Sequence, residues 1–207
     1  MIVVIDYGAG NTKSVMRALE KNGIQALLSS DKSAIESADG LILPGVGAFP
    51  LAMEELEKRQ LIDVIKQEMA KGKPLLGICL GMQLLVDGSD EHRYTKGFGF
   101  IPGECHLLPA SHAFPVPHMG WNELDIKHAK PLTQGLENDY VYFVHSYAVE
   151  VDPQYIEASC EYMQEIPAVI SYKNVYGAQF HPEKSGEVGH KLLRNFKEIV
   201  YEYTTSN

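Results

Sequence analysis

The chain has 207 residues, of which 45% are hydrophobic and 22% charged, so it is long enough to bury a sizeable core. Its formal net charge of −9 argues against a nucleic-acid partner or an anionic membrane surface. Its three widely spaced cysteines argue against a disulfide framework, and no uncharged apolar run is long enough to span a membrane. The first residues predict a strand and not a signal peptide. We therefore expect a cytoplasmic protein with one domain over residues 1–207.

Strand and helix signals alternate through the first half of the chain. Continuous apolar runs predict strands buried on both faces, and each run is followed by apolar residues at helical spacing. The predicted strands cover residues 2–6, 25–29, 41–43 and 74–78, and the predicted helices cover residues 12–22, 31–38, 49–57 and 61–69. This order predicts an α/β fold with a parallel, doubly wound sheet and flanking helices.

Glycine-rich turns follow two of these strands, at residues 7–11 and 44–49. In the first turn Lys13 occupies the third glycine position of a dinucleotide-binding loop, so a tight turn or a contact surface is favoured over a nucleotide site. The second turn follows a parallel strand, where α/β sheets present backbone N–H groups to ligands. A plain connecting loop is the alternative for the second turn.

After Gly88 the strand-like runs lie close together and are separated by hairpin-like turns. They cover residues 97–101, 104–108, 121–126, 140–151, 156–163, 168–173 and 176–180. This spacing predicts an antiparallel extension of the sheet, so the whole pattern is a mixed, mainly parallel sheet with an antiparallel C-terminal half. Residues 188–203 have apolar side chains at helical spacing and predict a final amphipathic helix.

Cys79 follows the predicted strand 74–78 and has a glycine two residues before it, Gly77, and another two residues after it, Gly81. This is the pattern of a nucleophile elbow, in which a strand turns sharply into a helix. At the N-terminus of a helix the dipole and the free N–H groups favour a thiolate. The alternative is a buried structural cysteine, because free cysteine is among the most buried residue types.

His181 and Glu183 follow the last predicted strand and are separated by Pro182. Pro182 disfavours helical geometry at His181, and in an extended segment the side chains two residues apart point the same way. One imidazole nitrogen can then face a thiolate while the carboxylate holds the other, which is how a base activates a nucleophile. A surface turn is the alternative when this segment is considered alone.

The remaining histidines give weaker signals. His118 and His145 lie in distinctive contexts, but nothing in the sequence pairs them. The other histidines lack metal-ligand spacing, so no metal and no cofactor is expected: His92, His106, His112, His128 and His190. Cys105 and Cys160 lack the elbow pattern and are predicted to be structural thiols.

Residues 77–83 together with residues 180–183 resemble the signature pair of the class I (Cys-His-Glu) glutamine amidotransferases. Four further stretches, at 6–11, 44–49, 117–122 and 180–185, resemble one branch of that family, the glutaminase subunits that serve a cyclase in histidine biosynthesis. The similarity runs in order over nearly the whole chain, and no catalytic position departs from the pattern. The segments at 91–95 and 110–115 look idiosyncratic and are predicted to be surface loops.

The resemblance implies the class I glutamine amidotransferase fold and hydrolysis of glutamine through a γ-glutamyl thioester on Cys79. It implies that His181 transfers protons and that Glu183 orients His181. The implied oxyanion donors are the N–H of Leu80 and that of Val46 or Gly47. The implied contacts to glutamine come from four positions: Gln83 and the backbone around His145, Ser146 and Tyr147.

The resemblance also implies a heterodimer with a (β/α)₈-barrel cyclase subunit that receives ammonia through a channel. Four residues are implied to face that partner: Asn11, Trp121, Tyr142 and Lys184. For Trp121 the alternative is packing in the core. Rival functions are a glutaminase subunit for anthranilate, aminobenzoate or pyridoxal phosphate synthesis, a γ-glutamyl hydrolase or cysteine peptidase on the same fold, and a non-enzymatic protein with a redox-sensing thiol.

Overall fold

The computed structural model describes residues 1–206, and apolar runs in its first half form the parallel part of the main sheet. Every residue is buried in β1 (Ile2–Ile5), β3 (Gly40–Leu43) and β4 (Leu75–Ile78), as expected for strands covered by helices on both faces, whereas β2 (Ala26–Ser29) lies at the edge. The connecting helices are α1 (Thr12–Lys21), α2 (Lys32–Ser37), α3 (Phe49–Lys58) and α4 (Ile62–Ala70).

From Leu80 to Ser206 the chain contributes ten strands and two α-helices. They are α5 (Leu80–Gln83), β5 (Gly88–Ser89), β6 (Thr95–Lys96), β7 (Gly103–Leu107), β8 (His118–Glu123), β9 (Asp125–Ile126), β10 (Tyr140–His145), β11 (Tyr147–Val151), β12 (Ile156–Tyr162), β13 (Gln164–Tyr172), β14 (Val175–Ala178) and α6 (Gly186–Ser206). The main sheet has eight strands in the order β2-β1-β3-β4-β14-β13-β12-β9. Its first five strands are parallel and its last three antiparallel, which confirms the predicted mixed sheet.

The pairing of β4 with β14 positions the site. The two strands run parallel with Gly77 opposite Gly177 and Ile78 opposite Ala178, and the Cys79 N–H donates to the Ala178 carbonyl over 2.8 Å. The carboxyl ends of both strands therefore lie side by side. The residues that follow Ala178 therefore lie next to Cys79, at the edge where α/β sheets bind ligands.

The predicted antiparallel extension is correct for only part of the second half. Strands β8 and β10 form a separate two-stranded sheet, and β11, β7, β5 and β6 form a four-stranded one. The predicted strand at 97–101 is wrong, because none of these residues belongs to a strand and only Phe100 and Ile101 form a bend. The N–H groups of Phe98, Phe100 and Ile101 instead donate to the carbonyls of Leu84 and Leu85, just after α5.

Two hydrophobic clusters cover the main sheet. One contains Leu192, Leu193 and Phe196 from α6, and the other contains Leu56 from α3 and Ile65 from α4. Fully burying one such side chain stabilises the fold by roughly 1.5–3 kcal/mol. These clusters hold the sheet between helices, so its strand ends are fixed relative to one another. No helix within residues 1–206 is both long and apolar enough to cross a membrane.

Candidate active site

Cys79 lies in a strained turn between β4 and α5. Its backbone has φ 55° and ψ −113°, a conformation that non-glycine residues rarely adopt, and its side chain is buried. The helix that follows has only four residues. Its dipole is therefore smaller than the sequence pattern suggested, so activation of the thiol depends more on neighbouring side chains.

The two glycines that flank the elbow are both required by close backbone contacts. A Cβ atom on Gly77 would lie 2.5 Å from the Gly81 carbonyl oxygen, and one on Gly81 would lie 1.8 Å from the Leu43 carbonyl oxygen. Neither approach is possible for a residue with a side chain. The glycines thus allow the turn to pack against its own strand and against the end of β3.

His181 and Glu183 form a buried, hydrogen-bonded pair beside Cys79. His181 Nδ1 lies 2.8 Å from Glu183 Oε1, and both side chains are only 2% exposed. Burial lowers the pKa of His181, but the Cys79 thiol and the Glu183 carboxylate outweigh it and raise the pKa to about 9. Apart from the neighbouring Cys79 thiol, His181 Nε2 has no hydrogen-bond partner within residues 1–206. This nitrogen is therefore available for proton transfer with Cys79.

The geometry of the His-Pro-Glu segment differs from the predicted extended strand. His181 itself is extended, but Pro182–Lys184 form a 3₁₀ turn, so Glu183 reaches back to the imidazole from the turn. Ser185 Oγ donates to the His181 carbonyl over 2.6 Å and accepts from the Tyr142 N–H over 3.0 Å. These bonds fix the base by tying the turn to β10.

A cavity of about 320 Å³ opens in front of Cys79. It brings together predicted site residues from four separate segments of the chain. Its walls are formed by Val46, Gly47, Cys79, Leu80, Gln83, Glu91, Pro117, Val144, His145, Ser146, Tyr147, His181 and Lys184. Glu183 lies behind His181 and does not line the cavity. The cavity therefore offers a thiol, an imidazole, an amide and free backbone groups to one small substrate.

The glycine-rich turn at residues 44–48 has a fixed first half and an open second half. The Tyr7 hydroxyl donates to the Pro44 carbonyl over 2.6 Å, and a Cβ on Gly45 would lie 2.6 Å from that hydroxyl. Gly47 has φ +109°, and a Cβ there would meet nothing within 4 Å. The N–H groups of Val46, Gly47 and Leu80 make no hydrogen bond within the described part of the chain. All three are free to bind a substrate oxygen.

The amide of Gln83 has a single orientation. Its Nε2 donates to the Tyr147 carbonyl over 2.9 Å and to Gln179 Oε1 over 3.2 Å. Its Oε1 makes no hydrogen bond within residues 1–206 and lines the cavity as a free acceptor. Gln179 is fully buried, and its Nε2 lies 3.8 Å from the Cys79 sulfur.

His145 contributes to the cavity differently from a ligand side chain. Both of its ring nitrogens have partners within the protein, with Nδ1 2.8 Å from the Tyr147 carbonyl oxygen and Nε2 2.9 Å from His118 Nδ1. The sequence interpretation that nothing pairs His118 with His145 is wrong. The two residues are directly opposite in the β8–β10 ladder, a long-range pairing that no local pattern encodes.

The four residues predicted to face a partner have different surroundings. Trp121 is 57% exposed and meets the Tyr142 ring edge-on at 6.0 Å, so the alternative of core packing is wrong. Lys184 lines the cavity. Asn11 stands at the N-cap of α1 but makes no capping hydrogen bond through its side chain. Its loop packs on the glycine-rich turn, because a Cβ on Gly10 would lie 3.3 Å from the Gly45 nitrogen.

Sequence reasoning missed Glu91 and Gln179. The sequence predicts a surface loop at 91–95, and most of this segment is exposed, but Glu91 lines the cavity and its Oε2 accepts from the Phe49 N–H at the start of α3 over 2.8 Å. Glu91 follows the very short strand β5, which carries no periodic signal. Gln179 lies two residues before His181, and that spacing in an extended segment was the only available clue.

Taken together, the strained Cys79 turn and the buried His181–Glu183 pair lie at one edge of the main sheet, where Cys79 and His181 line the same cavity. A family model described as glutamine amidotransferase class-I matches residues 3–199. The chain therefore belongs to the class-I glutamine amidotransferases, as the sequence resemblance predicted.

Relatives of known name narrow the family further. The imidazole glycerol phosphate synthase subunit HisH of Streptococcus mutans serotype c is 59% identical over 96% of this chain and 99% of its own length. The HisH subunit of Listeria monocytogenes serotype 4b is 54% identical over 97% of this chain and 96% of its own length. These similarities agree with the branch predicted from the four sequence stretches.

Solved structures share the fold at low sequence identity. A structure described as a glutamine amidotransferase aligns with a TM-score of 0.77 at 18% identity, covering 97% of this chain and 100% of its own. PurLQS from Thermotoga maritima aligns with a TM-score of 0.72 at 21% identity, covering 96% and 97%. At this identity the likeness concerns the fold alone.

Proposed function

We propose that this chain is the glutaminase subunit of an imidazole glycerol phosphate synthase and acts as one domain over residues 1–207. It hydrolyses glutamine to glutamate and ammonia and passes the ammonia to a cyclase subunit. The observation that carries the proposal is the strained Cys79 elbow facing a buried His181–Glu183 pair in one small cavity. The HisH relatives, matched over nearly their full length, support the choice of synthase.

The first half of the reaction forms a thioester. His181 Nε2 takes the thiol proton, and the Cys79 sulfur attacks the side-chain carbonyl carbon of glutamine. The resulting imidazolium is stabilised by Glu183, to which Nδ1 is bonded. His181 then gives its proton to the nitrogen of the tetrahedral intermediate, so the carbon–nitrogen bond breaks and ammonia leaves.

The second half of the reaction releases glutamate. His181 removes a proton from a water molecule, and the oxygen attacks the γ-glutamyl thioester carbon. The carbon–sulfur bond breaks, and the proton returns from the imidazolium to the Cys79 sulfur. The Gln179 amide, 3.8 Å from that sulfur, is oriented to donate to the thiolate leaving group.

Negative charge on the glutamine oxygen requires hydrogen-bond donors in both halves. The free N–H of Leu80, the residue after the nucleophile, is one such donor. The second is the N–H of Val46 or Gly47, and each donor of this kind typically contributes about 3 kcal/mol to transition-state stabilisation. Because Gly47 is unconstrained, rotation of the 46–47 peptide is a means of switching the second donor.

The rest of the cavity holds the amino-acid end of glutamine. Gln83 Oε1 is a free acceptor, and Glu91 is a carboxylate on the wall suited to the α-ammonium group. The backbone of Ser146 and Tyr147 supplies further polar groups. Glu91 is thus a substrate-binding residue that the sequence interpretation had placed in a surface loop.

The acceptor of ammonia binds on a partner in this proposal. The partner is a (β/α)₈-barrel cyclase subunit that makes imidazole glycerol phosphate and aminoimidazole carboxamide ribonucleotide in the cytoplasm. The contacts assigned to it are Asn11, Trp121, Tyr142 and Lys184, around the cavity mouth. Exposed aromatic side chains such as Trp121 are typical of protein interfaces.

The test is ammonia release from glutamine by the chain alone, with the cyclase subunit, and with the cyclase subunit and its nucleotide ligand. A sharp increase on adding the cyclase and ligand is expected, and no increase would overturn the choice of synthase. Cys79→Ser should abolish release, whereas Cys160→Ser, at a buried cysteine outside the cavity, should keep it. Labelling of Cys79 by a glutamine-analogue electrophile that glutamine fails to compete away would favour a peptidase or γ-glutamyl hydrolase.

A further inference from the structure

A continuous chain of hydrogen bonds joins the exposed strand β8 to the wall of the cavity. Asn122 Nδ2 lies 3.4 Å from His118 Nε2, and His118 Nδ1 lies 2.9 Å from His145 Nε2. His145 Nδ1 lies 2.8 Å from the Tyr147 carbonyl oxygen. Both histidines are buried, with His118 3% and His145 5% exposed, although neither belongs to the catalytic group.

The direction of every bond follows from its last acceptor. A carbonyl oxygen only accepts, so His145 Nδ1 carries a hydrogen and donates to Tyr147. In the neutral ring His145 Nε2 then accepts, so His118 Nδ1 carries a hydrogen and donates to it. His118 Nε2 is left as an acceptor for the Asn122 amide. The structure thus assigns the same tautomer, with the hydrogen on Nδ1, to both rings.

The surroundings favour the uncharged form of both histidines. His118 is stacked on Phe143 at 4.7 Å and on Tyr162 at 4.0 Å between ring centroids. The pKa of each histidine is lowered to about 4. Burial is the cause for His118 and the largest cause for His145, where the Tyr147 carbonyl opposes the shift and the neighbouring His118 and His181 add to it. An additional proton on either ring would place two N–H donors opposite each other with no acceptor between them.

The Tyr147 carbonyl is the point where this chain meets the substrate-binding groups. It accepts from His145 on one side and from Gln83 Nε2 on the other. Gln83 donates its second hydrogen to Gln179, which in turn reaches the Cys79 sulfur. A shift of this carbonyl would therefore move the amide that presents Gln83 Oε1 to glutamine.

We propose that His118 and His145 are positioning residues for glutamine binding. As neutral imidazoles with the hydrogen on Nδ1, they connect strand β8, which bears Trp121, to the Tyr147 carbonyl and hold that carbonyl in place. The kinetic consequence rests on the proposed glutaminase function, but the tautomers do not. A residue that only fills the core through its ring area would tolerate an aromatic replacement. A positioning residue requires its nitrogen atoms.

The direct test is the tautomer state, read by nitrogen-15 NMR of imidazole-labelled protein at neutral pH. Both rings are expected to show a protonated Nδ1 and an unprotonated Nε2. Assignment uses His118→Phe and His145→Phe, each of which removes one pair of signals. A hydrogen on Nε2 of either ring, or a charged ring at neutral pH, overturns the proposal. This measurement is independent of whether the protein hydrolyses glutamine.

The kinetic test compares His145→Phe with His145→Asn in the complex with the cyclase subunit. The phenyl ring keeps the shape but leaves the Tyr147 carbonyl without its donor, so KM for glutamine is expected to rise about tenfold with kcat changed much less. The asparagine amide can stand where Nδ1 stood and should keep KM within about threefold of the wild-type value. His128→Phe, the same change at an exposed histidine, is the matched control and should alter neither constant.

His118→Phe provides a second test of the positioning role if His145→Phe does not fold. It preserves the stack on Phe143 and Tyr162 but leaves His145 Nε2 unpaired, and a smaller rise in KM of about threefold is expected. An unchanged KM in the variants that fold overturns the positioning role. Absence of glutaminase activity in the wild-type complex would refute the proposed function instead.

Discussion

Two regions of this molecule bury histidines, and the pKa values of these histidines are shifted in opposite directions. His181 is 1% exposed and has its pKa raised to about 9, whereas His118 and His145 are nearly as buried and have theirs lowered to about 4. Burial lowers the pKa in both regions. The difference comes from the neighbours, a thiol and a carboxylate in one region and aromatic rings and a second imidazole in the other.

The comparison separates two uses of one side chain. A histidine next to a carboxylate can accept a proton at low cost, which a base needs. A histidine without a charged partner stays neutral and offers one donor and one acceptor in fixed positions, which a positioning residue needs. Burial by itself therefore does not distinguish a catalytic histidine from a structural one in this fold.

Removing the base should have the largest effect. His181→Ala is expected to lower kcat for ammonia release by about a thousandfold or more, because proton transfer to the leaving group is lost. Complex formation with the cyclase, measured by analytical ultracentrifugation, should be unchanged. His128→Ala serves as the surface control, and more than about 10% residual activity in His181→Ala would contradict the role of His181.

Removing only the Glu183 carboxylate should make the surroundings of His181 more like those of His118 and His145, which have no charged partner. Glu183→Gln keeps a hydrogen-bonding group near Nδ1 but removes the charge that helps to raise the pKa of His181. A fall in kcat of about a hundredfold is expected. Nitrogen-15 NMR should show that His181 then titrates at lower pH. Glu137→Gln, at an exposed glutamate, should change neither quantity, and an unchanged titration in Glu183→Gln would exclude Glu183 as a cause of the shift.

The two regions should give stability opposite pH dependences. The folded pKa of His181 is above its ordinary value of 6.5, so its contribution is fully present below about pH 6.5 and is lost as pH rises towards 9. The folded pKa values of His118 and His145 lie below 6.5, so the unfolded chain binds more protons and stability falls as pH decreases from about 6.5 towards 4.

Urea unfolding across this pH range measures both contributions. Relative to wild type, His181→Ala should reduce the pH dependence of the free energy of unfolding on the alkaline side of the range. His145→Phe should reduce it on the acid side. Each difference is expected to be on the order of 1–3 kcal/mol, since one pKa unit corresponds to about 1.4 kcal/mol. Parallel curves for the wild type and either variant would show that the corresponding histidine is not shifted on folding.

The smallest effect is expected at the edge of the histidine pair. Tyr162→Phe keeps the ring stacked on His118 and removes only the hydroxyl, which donates to the Pro115 carbonyl over 2.5 Å. KM for glutamine should therefore stay within about twofold of wild type, and the free energy of unfolding should be about 1 kcal/mol lower. A rise in KM as large as that of His145→Phe would indicate that the loop before β8, and not the imidazole nitrogens, positions the cavity wall.

The sequence by itself determined the features that depend on short stretches of chain. Apolar runs and helical spacing predicted the parallel strands and their helices, because burial on both faces demands continuous apolar strands. The spacing of Gly77, Cys79 and Gly81 predicted the elbow, because only glycine allows the close backbone contacts found there. The spacing of His181 and Glu183 predicted that these side chains meet, although the structure joins them through a local 3₁₀ turn and not through the extended segment that the sequence predicted.

Only the tertiary structure decided the contacts between distant segments. The register of β14 on β4 brings Cys79 next to His181, and the β8–β10 ladder sets His118 opposite His145. The apolar run at 97–101 satisfies the carbonyls after α5 instead of forming a strand, and Glu91 reaches the cavity from a segment without periodicity. Strand pairing and loop placement depend on how the whole core packs, and that information is spread over the chain and not held in any one motif.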